Sequence, residues 1–431
     1  MTVKAISESE FSSLLQNNFV FESKPHLGIS VSGGADSMAL MILMKEWIKR
    51  KGGKLTIFHF NHNLRKNSNE ESVLLSNELK KQGLEFKILI NKTNKPKTKI
   101  MEISRNLRYS EITKACKDLN ILHLMTAHHL DDNIETFIMR QKRKSSSTGL
   151  SSIPYKRVVT SLQILRPLLN FKKERLVQTC ISRNLNWFED PSNKNKSFER
   201  VRIRNELNSI GNSEKTNIVK QLRLKKQINK KLEKKIYNFF LNELTFFSYG
   251  VFEIRTKSLV KQKIEVQIEI LKNLLTTNSG KFYPPRRTSI QVLLKKIHKK
   301  IETNHTLHSS FISIGEDKIK IYREIKKNRN LSKVYLRKGD EYLWDNRFYV
   351  KSKKFNITCS QINKKNWIDL CKEFPLKKSE INFLVVQSLP LLEINGERFI
   401  PFVSGNKLKK KNIEFFFNPT EPLSKKIFFR Y

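Results

Sequence analysis

From Leu27 the chain reads Leu-Gly-Ile-Ser-Val-Ser-Gly-Gly-Ala-Asp-Ser, and an amphipathic run, Met38–Arg50, follows. A short apolar run that meets paired glycines and leaves as a helix is a strand–turn–helix. Such a turn aims unsatisfied backbone N–H groups at one point, and the helix dipole adds positive character there. It is an anion site suited to a phosphate. Gly33 and Gly34 let the backbone turn sharply and approach a ligand closely, and Ser32 and Ser37 add hydroxyl donors. Asp36 is the odd member, since a carboxylate beside a phosphate is repulsive unless a metal lies between them; it points to Mg²⁺. A bare Ser-Gly-Gly also fits an ordinary serine-capped turn. The full Ser-Gly-Gly-Ala-Asp-Ser, Ser32 to Ser37, framed by strand and helix, favours the phosphate reading. No Gly-Lys-Ser/Thr follows, so this is not a Walker A loop.

Strand-like runs recur at Leu27–Val31, Leu55–Phe60, Phe86–Ile90 and Leu122–Ala127, and helix-like runs at Met38–Arg50, Asn69–Gln82, Ile100–Leu119 and Asp131–Arg143. The alternation predicts an α/β domain with a parallel, doubly wound sheet. Ligands in such sheets bind beyond the carboxyl ends of the strands. The Ser-Gly-Gly loop, His59-Phe60-Asn61-His62 and His128-His129 all fall at such ends, as one shared site requires.

In Thr126-Ala127-His128-His129-Leu130-Asp131-Asp132-Asn133-Ile134-Glu135-Thr136 a strand gives way to a helix. Ile134, Phe137 and Ile138 define its buried face. Asp132 and Glu135 fall about 60° apart on the wheel and off that face. His128, four residues before Asp132, can approach them. Two carboxylates and an imidazole can hold a metal, bind an ammonium group or move a proton; an aspartate there can also simply favour the helix N-terminus. Glu102, Arg105, Arg108 and Tyr109 lie on the preceding helix. The first two form an i, i+3 pair that taken alone reads more readily as a solvated ion pair, while arginine is what a site needs to neutralise developing charge.

The remainder is organised differently. Ser151–Pro167 reads as loop-rich and Lys172–Asn184 as helical. Long basic helical runs at Asn217–Asn242 and Val260–Thr276, a Pro284-Pro285 break and a run at Ser289–Ile301 predict an all-helical domain. Beyond residue 305 strand-like runs at Phe311–Ile314, Lys318–Arg323, Tyr342–Val350, Leu392–Ile394 and Ile413–Phe417 predict a small, mostly β module with a helix near Gln361–Cys371. The expected sections are 1–212, 213–304 and 305–431.

Lysine and arginine number 83 against 40 acidic residues, a net charge of +43, spread along the chain. A positive field of this breadth favours a polyanionic partner, nucleic acid above all, although an AT-rich genome also inflates lysine. The four cysteines, Cys116, Cys180, Cys359 and Cys371, have neither C-x-x-C nor zinc spacing and suit a reducing compartment. Met1–Lys24 lacks an apolar signal core, and no run approaches the ~18 residues of a membrane span, so a cytoplasmic protein with no membrane partner is expected.

In order along the chain stand the Ser-Gly-Gly loop, His59 to Arg65, Glu102…Arg105…Arg108-Tyr109, Ala127 to Asp132 with Glu135-Thr136, Leu165-Arg166-Pro167-Leu168, and Trp187…Glu189-Asp190-Pro191-Ser192-Asn193 with Arg200, Arg202 and Arg204. This set, over roughly residues 25–210, resembles the tRNA(Ile)-lysidine synthase family of PP-loop (N-type) ATP pyrophosphatases. Tyr322-Arg323-Glu324, Trp344-Asp345-Asn346-Arg347-Phe348 and Ser388-Leu389-Pro390 are fainter echoes of the family's C-terminal region.

The resemblance implies a PP-loop (adenine nucleotide α hydrolase-like) domain and a two-step reaction with ATP and Mg²⁺. The C2 oxygen of the wobble cytidine in a tRNA(Ile) with a CAU anticodon is adenylated with loss of pyrophosphate. Free L-lysine then displaces AMP, giving lysidine and switching the tRNA from methionine and AUG to isoleucine and AUA. On this reading Ser32, Gly33, Gly34, Ala35, Asp36 and Ser37 bind ATP, and Asp36 helps hold the metal. Arg108, His128, Asp132 and Glu135 line the reaction centre, a carboxylate handling the lysine amine. Arg200, Arg202 and Arg204 lie near the anticodon entrance, and basic residues of the second half grip the tRNA backbone.

Asn61 stands where the family commonly has an acidic residue or histidine, Asn63 where it has glycine, and Lys142-Arg143-Lys144-Ser145-Ser146-Ser147 where it has a glycine-rich loop. Oligomeric state is open, a homodimer included. The competing functions are another PP-loop tRNA-modifying transferase, such as a thiolase, and a non-catalytic basic RNA-binding protein.

Overall fold

The computed structural model describes residues 3–63, 68–91, 100–143, 147–159, 162–188, 195, 197–299, 302–325, 331–374, 383–404 and 407–423. The chain forms two compact units, 1–229 and 230–431. The first runs α1 (Glu8–Asn18), β1 (His26–Ser30), α2 (Ala35–Lys51), β2 (Lys54–Asn61), α3 (Ser68–Lys81), β3 (Glu85–Ile90), α4 (Ile100–Asp118), β4 (His123–Met125), α5 (Leu130–Lys142), α6 (Ser147–Leu150), β5 (Lys156–Val159), β6 (Leu162–Leu165), α7 (Lys173–Ile181) and α8 (Glu199–Ser209), and ends within α9 (Asn212–Glu243).

Its sheet has the order β3-β2-β1-β4-β6-β5. All neighbours pair in parallel except β5, which runs antiparallel to β6. The loop-rich reading of Ser151–Pro167 missed β5 and β6, which at four residues each are too short to set up an alternation. Apolar groups cover both faces: Leu27, Ile29, Met41, Leu75 and Leu176 on one side, Phe58, Phe60, Ile112, Leu124 and Ile164 on the other. Burial on both faces is why β2 is buried along nearly all its length.

The run read as amphipathic, α2, is buried from Met38 to Met44. A helix apolar all round must lie inside a core, and α2 packs against α1, β2 and α7. Two bidentate ion pairs fasten this layer: Arg183 to Glu46 at 2.6 and 3.0 Å, and Arg175 to Glu10 at 2.8 and 2.6 Å. β1 lies between β2 and β4, so the sheet grows outward in both directions from this pair. The loops leaving β1 and β4 therefore flank a topological switch point, where open α/β sheets bind ligands.

The second unit continues with β7 (Leu244–Phe247), β8 (Val251–Arg255), α10 (Thr256–Val260), α11 (Ile264–Ser279), α12 (Arg287–His298), β9 (Thr303–Leu307), β10 (Ser310–Ile314), β11 (Lys318–Arg323), β12 (Val334–Leu336), β13 (Glu341–Trp344), β14 (Phe348–Ser352), β15 (Ile357–Gln361), α13 (Lys364–Glu373), α14 (Phe383–Val386), β16 (Pro390–Ile394), β17 (Glu397–Phe399), α15 (Lys407–Lys410) and β18 (Ile413–Phe417). The helices expected over 213–304 are present, and the section also holds β7 and β8. β8 pairs with β11 in a five-stranded sheet, β7-β8-β11-β10-β9, that spans residue 305. Ile218, Val219 and Leu222 of α9 pack with Ile134 and Phe137, which carries the first compact unit past 212. The run Tyr342–Val350 is a hairpin, β13 and β14, turning at Asp345-Asn346. Among the described residues no helix is long and apolar enough to cross a membrane.

Candidate active site

The loop after β1 is held by its own hydroxyl. Ser37 Oγ donates to Gly34 O at 2.9 Å and accepts from Ser32 N–H at 3.2 Å. Ser37 is thereby buried as a brace of the loop, while Ser32 remains exposed. Gly33 has φ +89°, a conformation open to glycine, and an added Cβ would stand 3.1 Å from the Phe188 ring. Phe188 N–H donates to Gly33 O at 2.9 Å. Gly34 is the N-cap of α2, so Ala35, Asp36 and Ser37 form its first turn, where the dipole favours an anion.

Across the switch point, β4 delivers Thr126 to His129 and the N-terminus of α5. His129, buried at 3 % exposure, is the hub. Its Nε2 lies 3.5 Å from Asp36 Oδ2 and 3.5 Å from Asp132 Oδ2, and its Nδ1 lies 3.4 Å from Asp131 Oδ2. Burial works against protonation here, but Asp131, Asp36 and Asp132 together push the imidazole up to about 10. His129 is thus an imidazolium that joins the glycine loop to the acids of α5. Sequence reasoning passed it over for His128; the available signal was its N-cap position, with its N–H donating to Asp132 Oδ2 at 3.2 Å. Asp131 also accepts from Lys173 N–H at 2.8 Å, tying α5 to the start of α7.

Asp36 Oδ1 is buried without a hydrogen-bond partner. Among the described residues no three His, Cys, Asp or Glu side chains form a cage for a metal. Mg²⁺ in nucleotide sites is held by one or two carboxylates together with substrate phosphates. An orphan carboxylate oxygen in the first turn of α2, where the dipole favours an anion, fits that requirement.

His128 sits with its Nδ1 3.2 Å from Thr126 Oγ1. Burial, then the positive charge of Arg166, with smaller contributions from Arg105 and Arg200, outweigh Asp132 and push it down to about 3, so it is a neutral imidazole. Around it lies a concentration of guanidinium groups. Arg105 and Arg108 lie 5.6 and 5.5 Å from the Tyr109 ring centre. Burial opposes ionisation of Tyr109, yet Arg105, Arg166 and Arg108 hold its phenol below the usual range. Arg166, from Leu165-Arg166-Pro167-Leu168, is buried and donates to Pro154 O at 2.9 Å. Cations crowded beside few carboxylates suit a polyanionic substrate.

Glu135 is buried at 1 % exposure and belongs to a different arrangement. Arg204 Nε donates to its Oε1 at 2.7 Å, Arg200 Nε lies 3.9 Å from Oε2, and Arg200 also donates to Thr136 Oγ1 at 3.2 Å. Arg200 and Arg204, one helical turn apart, thus brace α8 against α5, whereas Arg202 between them is exposed and donates to Ser197 O at 2.8 Å. Of the expected site residues, the fold joins Asp36 with Asp132 through His129, and Glu135 with Arg200 and Arg204. Arg108 is placed against Tyr109, in the arginine cluster with Arg105 and Arg166.

His59, flagged at a strand end, is a fastener between Val31 O (3.0 Å) and Ser72 Oγ (3.0 Å). Asn61 accepts from Asn63 N–H at 2.8 Å, and Asn63 has φ +50°. Asparagine tolerates that conformation, which is how it stands in a glycine position. Residues 189–194, containing Asp190-Pro191-Ser192-Asn193, and 144–146 lie outside the described residues, as does the side chain of Glu102.

Residues 3–210 match the PP-loop domain family. A tRNA(Ile)-lysidine synthase of Rickettsia akari is 32% identical over 339 residues, covering 77% of this chain and 77% of that protein. One from Rickettsia bellii is 33% identical over 77% of this chain and 76% of its own, and one from Orientia tsutsugamushi 30% over 84% of each. Among solved structures, a U34-tRNA thiolase from Methanococcus maripaludis aligns with a TM-score of 0.43 at 15% identity, over 52% of this chain and 88% of its own. The glycine loop at the switch point and the acids facing it are thus carried by a tRNA-modifying ligase, and the chain belongs to the tRNA(Ile)-lysidine synthase family.

Proposed function

We propose that the chain joins L-lysine to C2 of the wobble cytidine in a CAU-anticodon tRNA(Ile), consuming ATP. The observation that carries this reading is the meeting of Asp36, from the glycine loop, with Asp132, from α5, on the His129 imidazolium. It supports reading the glycine loop as a phosphate cradle that shares one site at the switch point with a carboxylate.

In the first step the C2 oxygen of cytidine attacks the α-phosphorus of ATP, the bond to the bridging oxygen breaks, and pyrophosphate leaves. The loop from Ser32 to Ser37 orients the phosphates by backbone N–H groups and the α2 dipole. Asp36 would hold Mg²⁺, which supplies charge neutralisation on the phosphates when bound. Arg108, with Arg105 and Arg166 around Tyr109, offers guanidinium groups to the negative charge that develops. In the second step a lysine amine attacks C2, the C2–O bond breaks, and AMP departs. Asp132 is the carboxylate suited to hold the amine and take its proton, because it shares His129 with Asp36 of the glycine loop, whereas Glu135 Oε1 is held by Arg204 with Arg200 3.9 Å from Oε2. His128, neutral and half-buried, serves as a hydrogen-bonding group. The product reads AUA as isoleucine in place of AUG as methionine.

Chemistry on the thiols of the first unit is disfavoured. Cys116 and Cys180 are fully buried, and burial pushes both up to about 12. The test is incubation of the protein with ATP, labelled lysine and a CAU-anticodon tRNA(Ile) transcript. Label in the tRNA, dependent on ATP, is expected; folded protein that leaves the tRNA unlabelled overturns the reading.

A further inference from the structure

Three sequence signatures of the second half have no place in the chemistry above: Tyr322-Arg323-Glu324, Trp344-Asp345-Asn346-Arg347 and Ser388. They assemble into one buried network. Arg323 donates to both Asp345 oxygens at 2.7 and 2.9 Å, and Arg347 donates to Asp345 Oδ2 at 3.0 Å. Arg323 also holds Ser309 O at 3.0 Å, and Trp344 Nε1 donates to Ser388 O at 3.2 Å. All three charged side chains are buried. A carboxylate shared by two fully buried guanidinium groups is costly to desolvate and keeps its geometry only if every partner is in place. Its effect is to lock two turns: His308-Ser309 between β9 and β10, and Asp345-Asn346 between β13 and β14. All four residues have φ between +48° and +57°.

These turns wall a cavity of about 430 Å³, within the range of ligand pockets. Gly280, at the end of α11, forms another wall: it has φ +62°, and an added Cβ would meet Asp345 O at 2.7 Å. On the rim stand Phe282 and Tyr283, 45% and 60% exposed, their ring centres 5.2 Å apart at 81°. Lys281 is exposed beside them, none of the described lining residues is a carboxylate, and His308 of the lining has its Nε2 buried without a hydrogen-bond partner. Two consecutive aromatic rings turned to solvent beside a cation make the combination that receives an unstacked nucleotide: a π face for the base and a charge for its phosphate.

We propose that this cavity binds one unpaired nucleotide of the RNA substrate, its base stacked on Phe282 or Tyr283 and its phosphate on Lys281. The assignment rests on the RNA reading above and adds a contact remote in sequence from the glycine loop.

The experiment compares the full-length parent, the Phe282→Ala/Tyr283→Ala double variant and the conservative Phe282→Tyr/Tyr283→Phe variant. Each is titrated with a CAU-anticodon tRNA(Ile) transcript and with a mixed-sequence single-stranded 12-mer RNA. The double alanine variant is expected to bind both about tenfold more weakly with an unchanged salt slope, and the conservative variant to bind as the parent does. Both rings are exposed, so thermal melting of the variants is expected to match the parent. A double alanine variant that binds both RNAs as tightly as the parent overturns the pocket, whatever the parent catalyses. Conversely, loss of 12-mer binding by that variant, in a parent that puts no lysine on tRNA, upholds the pocket while the lysine reading fails. A parent that binds neither RNA overturns the pocket.

Discussion

His129 Nε2 lies 3.5 Å from Asp36 Oδ2, so a buried imidazolium from the end of β4 reaches the glycine loop that leaves β1. Contact with Asp132 at the same 3.5 Å makes His129 the link between the two halves of the site. Without a cation between them, Asp36, Asp131 and Asp132 would repel one another and any bound phosphate.

Replacing His129 by Ala removes that link. The acids around it lose their shared partner, which costs about 3 kcal/mol where one member of a buried ion pair is deleted. A melting temperature lowered by several degrees, together with pyrophosphate release reduced by tenfold or more, is expected. A variant that melts and releases pyrophosphate like the parent would show that His129 neither braces nor serves the site.

Glu135 and Arg204 are the second coupled pair. Arg204→Ala leaves a buried carboxylate with Arg200 3.9 Å away and is expected to destabilise the fold by about 2 kcal/mol. Glu135→Gln with Arg204→Ala should cost less than the sum of the singles, by 0.5 kcal/mol or more in a double-mutant cycle read by urea denaturation. Additive singles, with tRNA affinity lost instead, would return Arg204 to the tRNA surface.

Asp36→Ala removes the orphan carboxylate oxygen proposed for Mg²⁺. Pyrophosphate release is expected to vanish, and chelation with EDTA should silence the parent in the same way. Excess Mg²⁺ should restore the chelated parent and leave the variant inactive. Adenylation of tRNA by Asp36→Ala at the parent's rate would remove the metal role.

Much of this site is legible in the chain, for a physical reason. Ser-Gly-Gly-x-Asp-Ser carries its geometry locally, because the turn, the helix start and the donors lie within a few residues. The carboxylates of α5 announce themselves by position on the helix. Which histidine bridges the glycine loop and α5 does not, because it depends on which of two neighbours faces β1 across the sheet. That is settled by the β1–β4 pairing and not by spacing to Asp132. Arg200 and Arg204 read as surface cations because their partner, Glu135, is more than sixty residues away. The period of α8 already separated them from Arg202. In the second half, β8 lay hidden because its partner β11 is distant in sequence, and the four-residue β7 pairs only with β8.

Arg202 is the member of the trio that faces solvent. With a net charge of +43, binding of tRNA is expected to weaken steeply as salt rises. Arg202→Ala should lower the slope of log affinity against log salt by about 1 without changing the melting temperature, as for loss of one phosphate contact. Filter binding across 50–300 mM salt measures it. A flat salt response in the parent would assign the charge to composition and not to contact.

His308 gives the second unit a pH signature. Burial first, then the charges of Lys281 and Arg323, push its imidazole down to about 4, against a hydrogen bond with the Tyr283 backbone. In the unfolded chain the ring has its ordinary value near 6.5. As pH falls, the unfolded state therefore takes up the proton first, and folded stability is lost between about 6.5 and 4. For a ring that keeps part of its hydration the loss is about 1 kcal/mol. His308→Asn keeps a residue that tolerates φ +55° and removes the titration. The urea midpoint of the variant should fall less than the parent's between pH 7.5 and 4.5, since the carboxylates titrating in that range are common to both. Equal falls in the two proteins would place the titration elsewhere.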